Sequence, residues 1–178
     1  MSEFAADWVG VLANAVDAKA AEAVGGIGGS EVGALSTCLS FGEVGVGELG
    51  EVLGLTGSGA VRLVDRLEHD GLILRQARQG RSVSVRLSAR GRRRAEQLRQ
   101  RRLAAIEQLL GSLSAGERDQ LTGLLDKLLH NAGLDAGTAR TVCRFCDHRR
   151  CDRDICPVGR SLRARKEPSV RAASGVSS

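Results

Sequence analysis

The spacing of apolar residues along the start of the chain predicts short amphipathic helices. Residues 3 to 24 place their apolar side chains near one stripe, the pattern of a helix that packs on one side. The sequence GGIGGS then interrupts the pattern, and Ser30 is placed to cap a second helix at about residues 31 to 42.

Two more helices follow, separated by a tight turn. The sequence GELGEVLGL forms a short segment that stops at Thr56, and Thr56 is a favourable N-cap for the next helix, Gly57 to His69. Asp70 and Gly71 end that helix. The predicted core side of this helix is Val61, Leu63, Val64 and Leu67.

After this helix the pattern takes the period of β-strands. The stretches LILRQA and SVSVRL are short and alternate or run apolar, and the turn RQGR joins them into a predicted hairpin. Ser88 then caps a long helix from about Ala89 to Leu113. Ser114 and Glu117 form the capping box of a last helix, which ends near Asn131.

The last two helices carry more apolar surface than one small domain can cover. We therefore predict that a second copy of the chain covers it; the alternative is that these side chains pack only within one subunit. The residues are Leu98, Leu103, Ile106, Leu109, Leu110, Leu121, Leu124, Leu125, Leu128 and Leu129.

Composition agrees with a helical fold and indicates an anionic partner. Aromatic residues make up 2% of the chain, and a core of Leu, Val and Ala suits packed helices better than a β-sandwich. The net charge of +5 and the sequence pI of about 9.3 favour a partner such as nucleic acid. Most basic residues are Arg, a skew that a GC-rich genome also produces, so the positions of the arginines are more informative than their number.

The order helix, turn, helix and basic hairpin is that of a winged helix. The second helix of this motif, Gly57 to His69, begins with small residues. They let its N-terminus approach a duplex so that backbone N–H groups meet phosphates. Arg62 and Arg66 share one face of this helix, Arg81 stands at the hairpin tip, where it can enter a minor groove, and Arg86 adds to the charge. The predicted DNA-binding residues are Thr56, Gly57, Ser58, Gly59, Arg62, Arg66, Arg75, Arg78 and Arg81. The alternative is a solvated hairpin without a ligand.

Residues 46 to 91 resemble the core of the MarR family of winged-helix regulators. The stretch VRLVDRLEHDGLILR matches the family's recognition helix and its exit into the wing, and SVSVRLSARG matches the second wing strand and the start of the next helix. The order of the other helices fits too, so the resemblance covers about residues 1 to 131. One departure is Gln79, which stands where the family has an Asp that orients the wing arginines.

The resemblance implies a mainly α fold, a winged helix-turn-helix with a small β-hairpin wing and long helices that form a dimerisation domain. It implies a homodimeric, sequence-specific regulator of transcription, most relatives being repressors, on double-stranded DNA with a palindromic operator. Its recognition helices would lie about 34–36 Å apart. Relatives release DNA on binding small aromatic ligands, but this ring-poor chain gives no sign of such a pocket, and its inducer stays unidentified.

These expectations divide the chain into three regions. The first holds the DNA-binding core, at about residues 30–88, and dimerisation helices at about 3–24 and 89–131. The second is a cysteine-rich, metal-binding segment, and the third is an Arg- and Ser-rich tail for which the composition predicts disorder. In order, the regions are residues 1–135, 136–160 and 161–178.

Four of the five cysteines crowd into the sequence TVCRFCDHRRCDRDICPVGR. In a reducing compartment such crowding favours a metal site over disulfides. The spacing resembles a zinc knuckle with Cys in place of His, whereas the closing Cys-Pro resembles the end of many ferredoxin motifs. Zn(II) is therefore the first candidate cofactor and a [4Fe–4S] cluster the alternative. The predicted metal ligands, which we call the cysteine cluster, are Cys143, Cys146, Cys151 and Cys156.

Such a centre has two candidate functions: it stabilises the segment structurally, or it acts as a sensor in which loss of the metal changes the affinity for DNA. If no metal is bound, the alternative is a flexible thiol-rich tail. Asp147 and His148 are alternative metal ligands, but we expect both side chains to be solvated instead. Cys38 is interpreted as a core residue, with redox sensing as the alternative. The arginines expected to offset the charge of the centre are Arg144, Arg149, Arg150, Arg153 and Arg160.

Several function classes find no support in the sequence. No apolar run approaches the roughly 18 residues that span a bilayer, and MSEFAADW lacks the features of a secretory signal, which predicts a cytoplasmic, nucleoid-associated protein. No phosphate-binding loop or catalytic constellation stands out, so we do not expect an enzyme. The competing hypothesis is a protein-interaction adapter that keeps the winged helix without binding DNA; replacing Arg81 with Ala would then leave DNA binding unaffected.

Overall fold

A computed structural model describes residues 4–77, 83–148, 151–152 and 154–166 of the chain. These residues form eight α-helices and three β-strands. In chain order they are α1 (Ala5–Ala23), α2 (Gly29–Phe41), β1 (Val44–Gly45), α3 (Val46–Leu53), α4 (Gly57–His69), β2 (Ile73–Ala77), β3 (Val83–Leu87), α5 (Ala89–Leu110), α6 (Ala115–Asn131), α7 (Ala136–Cys143) and α8 (Pro157–Lys166). The predicted fold class, a mainly α winged helix-turn-helix with a small hairpin, is confirmed.

Polar caps set the helix starts that the sequence predicts best. Thr56 Oγ1 accepts the Gly59 N–H at 3.2 Å at the start of α4, and Ser88 Oγ accepts the Gly91 N–H at 2.9 Å at the start of α5. The Ser114–Glu117 capping box of α6 is present as predicted. The predicted cap at Ser30 is wrong: Ser30 lies inside α2, whose N-cap is Gly28, because the glycine-rich stretch already supplies the extended backbone there.

The sheet has three antiparallel strands among the described residues, in the order β1-β3-β2. Val44 pairs with Val85 across β1 and β3, and Ile73 pairs with Leu87 across β2 and β3. Strand β1 has only two residues, too few to leave a periodic signal in the sequence. The hairpin tip falls outside the described residues, together with the predicted sites Arg78 and Arg81 and the departure at Gln79.

One apolar core joins α2, α3, α4, the sheet and the start of α5. Its fully buried large side chains include Leu35, Leu49, Leu67, Ile73 and Leu98. Leu98 therefore belongs to the core of one subunit and not to the surface predicted for a second copy. The prediction that Val61 belongs to this core is wrong, because its side chain is 47% exposed while the other apolar residues of α4 are buried. Helix α1 packs along α5, outside the core.

The C-terminal region folds back onto this core. Helices α7 and α8 lack apolar periodicity and were not predicted; α7 packs on α3 and α8 packs on α6. Helix α8 continues to Lys166, into the segment from residue 161 for which the sequence predicts disorder. In the described residues, no helix combines the length and the apolar character needed to cross a bilayer.

Candidate nucleic-acid interface and cysteine cluster

Helix α4 presents a narrow N-terminus to solvent. Thr56, Gly57 and Ser58 are exposed, and a Cβ added at Gly57 would meet no atom within 4 Å. Helix α3 packs closely against α4: a Cβ added at Gly50 of α3 would lie only 3.1 Å from the Cβ of Ala60 on α4. The free N–H groups at the start of α4 can therefore approach an anionic surface without a bulky side chain in the way.

The outer face of α4 carries the two predicted cationic contacts. Arg62 and Arg66 are both exposed, whereas Leu63, Val64 and Leu67 face the core. In the described part of the chain neither guanidinium forms an ion pair, so both are available to a phosphate or a base edge. Ser58 and the two arginines thus define one surface, which we call the recognition face.

Arg75 on β2 points to a different role from the one predicted. Its guanidinium pairs with the Asp65 carboxylate and lies 3.4 Å from a Glu68 carboxylate oxygen, both on α4. These contacts neutralise two carboxylates that would otherwise repel phosphates, and they fix the first wing strand against the recognition helix. The geometry favours Arg75 as a positioning residue. The spacing of Asp65 and Glu68 at i and i+3, followed by an Arg in the middle of the next strand, is the signal that sequence reasoning missed.

A groove of about 530 Å³ runs beside the recognition face. It lies between α3, α4 and the sheet, and Val61, Arg75 and Val83 are among the residues that line it. Exposed Val61 and Val83 offer methyl groups there, the kind of surface that contacts a thymine methyl or a sugar. Arg86 on β3 is exposed as well, so basic character extends along the described part of the wing.

The cysteine cluster is gathered at the C-terminal end of α7. Cys143, Cys151 and Cys156 line one cavity of about 440 Å³, and His148 lines it too. The Cys143 thiol donates a hydrogen bond to Cys146, which raises the pKa of Cys143 and lowers the pKa of Cys146 to about 7. No disulfide joins these residues. Within the described ranges, no three His, Cys, Asp or Glu side chains are already arranged as a metal site.

Aromatic and ionic contacts hold the cluster against the helical core. Phe145, between two of the cysteines, packs on the core and lies under the Arg102 guanidinium of α5, which is 4.2 Å from the ring centroid. Ser40 on α2 donates to the backbone carbonyl groups of Arg144 and Cys146, at 3.0 and 2.9 Å. The segment is therefore docked rather than free.

The predicted solvated positions of Asp147 and His148 are wrong. Asp147 forms an ion pair with Arg99 of α5 at 2.9 Å, and His148 packs edge-on against Phe41 with ring centroids 4.6 Å apart. Both side chains are partly buried because the segment folds onto α2 and α5. Aromatic residues are rare in this sequence, so the presence of Phe145 in this segment was the available sign that the segment packs against the core.

Cys38 occupies the position predicted for a core residue. Its side chain is 2% exposed, and burial raises the pKa of the Cys38 thiol to about 12. A buried, protonated thiol reacts slowly with oxidants because the thiolate is the reactive form. The structure therefore favours the packing interpretation of Cys38 over redox sensing.

The fold is shared with solved structures of transcriptional regulators. The chain superposes on a MarR family protein from Bacillus stearothermophilus with a TM-score of 0.66 and 27% identity, over 75% of this chain and 99% of that one. A MarR family regulator from Silicibacter pomeroyi gives a TM-score of 0.59 and 22% identity, over 76% and 98%. MepR, a transcription regulator of the Staphylococcus aureus multidrug efflux pump MepA, gives 0.63 and 19%, over 72% and 98%. No family model and no curated protein sequence matches the chain.

Proposed function

We propose that this chain is a MarR-type transcriptional regulator that binds double-stranded DNA sequence-specifically as a homodimer, acts as a repressor, and responds to metal or redox state at its cysteine cluster. The observation that carries the DNA-binding part is the recognition face of α4, with its narrow N-terminus and the exposed Arg62 and Arg66, which form no ion pair with the described residues. The fold supports this proposal, since two of the three neighbouring structures are named as transcription regulators and the third as a MarR family protein.

The proposal is tested by asking whether the purified chain selects DNA. Incubated with fragments of its own genome at low salt, it is expected to enrich fragments that share a palindrome. Its affinity for an enriched fragment should fall steeply with salt, with log K decreasing by about 0.9 per neutralised phosphate for each tenfold rise in salt. If no fragment is enriched and no salt-dependent binding is seen, the adapter hypothesis replaces this one.

The homodimer accounts for apolar surface that the folded chain leaves in water. Trp8 on α1 is 63% exposed and Leu128 on α6 is 58% exposed, and both belong to longer apolar stripes. Monomeric proteins rarely expose so many large apolar side chains on long helices. The other exposed members are Phe4, Val9, Val11, Leu12, Leu103, Leu124, Leu125 and Leu129. We propose that a second copy covers this surface.

Replacing Leu128 with Glu is expected to weaken the dimer about 100-fold or more. Each copy would bury a carboxylate without a partner in the interface, which costs several kcal/mol. Sedimentation equilibrium measures the effect, and circular dichroism checks that the helices remain. Lys127→Glu is the matched control, because it places the same side chain on the neighbouring exposed position, away from the leucine stripe. A wild-type chain that sediments as a monomer would contradict the proposed dimer.

A further inference from the structure

We propose that the cysteine cluster binds a metal centre through its thiolates, and that occupancy of the centre controls how the α7–α8 segment docks on the DNA-binding core. The second part rests on the proposed DNA-binding function, whereas the first does not. Zn²⁺ is the simplest occupant of a four-thiolate site, and an iron–sulfur cluster uses the same ligands.

The positions of the four thiols favour a single shared ligand. Three of them line one cavity, and the backbone N–H of the fourth, Cys146, donates to the Cys143 carbonyl oxygen at 2.9 Å, which keeps these two residues adjacent. Cys143 and Cys156 are thirteen positions apart in the sequence, and the fold places both at this one cavity. Folding of α7 and α8 against separate helices produces this grouping, since α7 packs on α3 and α8 on α6.

The surrounding charge suits an anionic centre. A divalent metal held by four thiolates keeps a double negative charge, which needs nearby cations. Arg140 and Arg163 line the cavity with the cysteines. In the described part of the chain, the buried guanidinium Nε atoms that lack a hydrogen-bond partner are those of Arg99, Arg140, Arg144 and Arg160, all within or against the α7–α8 segment. Of the arginines predicted for this role, Arg144 and Arg160 are engaged by Phe145 and Asp126.

The α7–α8 segment contacts the helices α2, α3 and α5. It reaches α2 through Ser40, α3 through an ion pair between Arg140 and Glu48, and α5 through Phe145 and the Arg99–Asp147 pair. Because α3 packs directly on α4, a shift of α7 is transmitted to the recognition helix. Arg160 also pairs with Asp126 of α6, which links α8 to the proposed dimer surface.

Metal binding therefore includes a local closure. The thiols are neighbours but are not already arranged as a coordination site in the described residues, so a metal must draw the end of α7 and the start of α8 together. Closure strengthens the docking of both helices on the core. We accordingly expect the metal-bound form to hold the helix-turn-helix in its DNA-binding arrangement and the metal-free form to bind DNA more weakly.

Metal content tests the first part without reference to DNA. The full chain, purified without oxygen, is expected to carry either one zinc per chain and no colour, or iron and sulfide with broad visible absorption; either result supports the centre and tells the two occupants apart. Cys156→Ser should lose the metal, whereas Cys38→Ala, a cysteine change outside the cluster, should retain it. Wild-type protein that carries no metal and does not bind added Zn²⁺ would overturn the proposal.

DNA affinity, measured with metal-loaded and metal-free chains on one operator fragment, tests the second part. The loaded form is expected to bind about 5- to 150-fold more tightly, the usual range of allosteric coupling. Phe145→Ala keeps all four thiols but removes the contact with α5, so it should retain the metal and lose most of this difference. Equal affinity of the two wild-type forms would overturn the coupling. If neither form binds DNA, the proposed function fails while the metal result stands.

Discussion

Replacing Arg62 with Ala is expected to weaken operator binding by about 30-fold or more without changing the fold. Arg62 lies exposed on the recognition face and forms no ion pair in the described residues, so its loss breaks no ion pair there. A good arginine contact to a base edge contributes about 1–3 kcal/mol, and a two-fold symmetric dimer loses it in both half-sites. Arg66→Ala tests the second arginine of the same face in the same way.

The measurement is a binding isotherm by fluorescence anisotropy at several salt concentrations. If Arg62 contacts a phosphate, the slope of log K against log salt concentration should become shallower by about 0.9 for each lost contact. If it contacts a base, this slope should be unchanged and the preference for one base at that operator position should weaken. Arg101→Ala is the matched control, since Arg101 is an exposed arginine of α5 outside the recognition face. Equal losses in Arg62→Ala and Arg101→Ala would show that only net charge matters and would contradict the assigned role of α4.

Replacing Gly91 with Ala is expected to lower the free energy of unfolding by about 3 kcal/mol or more. A Cβ at Gly91, on the first turn of α5, would overlap the Leu72 carbonyl group, lying 2.7 Å from its carbon atom. This carbonyl accepts the Ser88 N–H at 3.0 Å, and the adjoining strand β2 is paired with β3, so the backbone has little room to retreat. Overpacking against fixed atoms costs more than the roughly 1 kcal/mol that Ala gains over Gly in a helix.

Urea unfolding followed by circular dichroism measures this change in stability. Gly123→Ala is the matched control: Gly123 lies in α6, its added Cβ would meet no atom within 4 Å, and the substitution should stabilise the helix slightly. If Gly91→Ala is as stable as the wild type, then α5 does not begin against the Leu72 carbonyl as described. The prediction also concerns function, because α5 connects the wing strand β3 to the long helix α6.

The secondary structure around α4 could be predicted from local chemistry. Thr56, Ser88 and Ser114 cap helices where expected, because a cap is an interaction between a side chain and backbone N–H groups only two or three residues away. The exposed positions of Arg62 and Arg66 follow equally from the helical period. By contrast, β1 and α8 escaped prediction, since neither carries enough periodic apolar residues to leave a signal.

Contacts between residues far apart in sequence were decided only by the tertiary structure. Arg75 was predicted to contact DNA, and only the tertiary structure shows that it pairs with two carboxylates of α4. Val61 was expected in the core and instead lines a groove. The sequence alone determined that four thiols lie close along the chain, but docking on α2, α3 and α5 decided where they lie relative to the recognition helix. The physical reason is that caps and periodicity act within one or two helical turns, whereas ion pairs and ring contacts depend on packing between elements that no local pattern specifies.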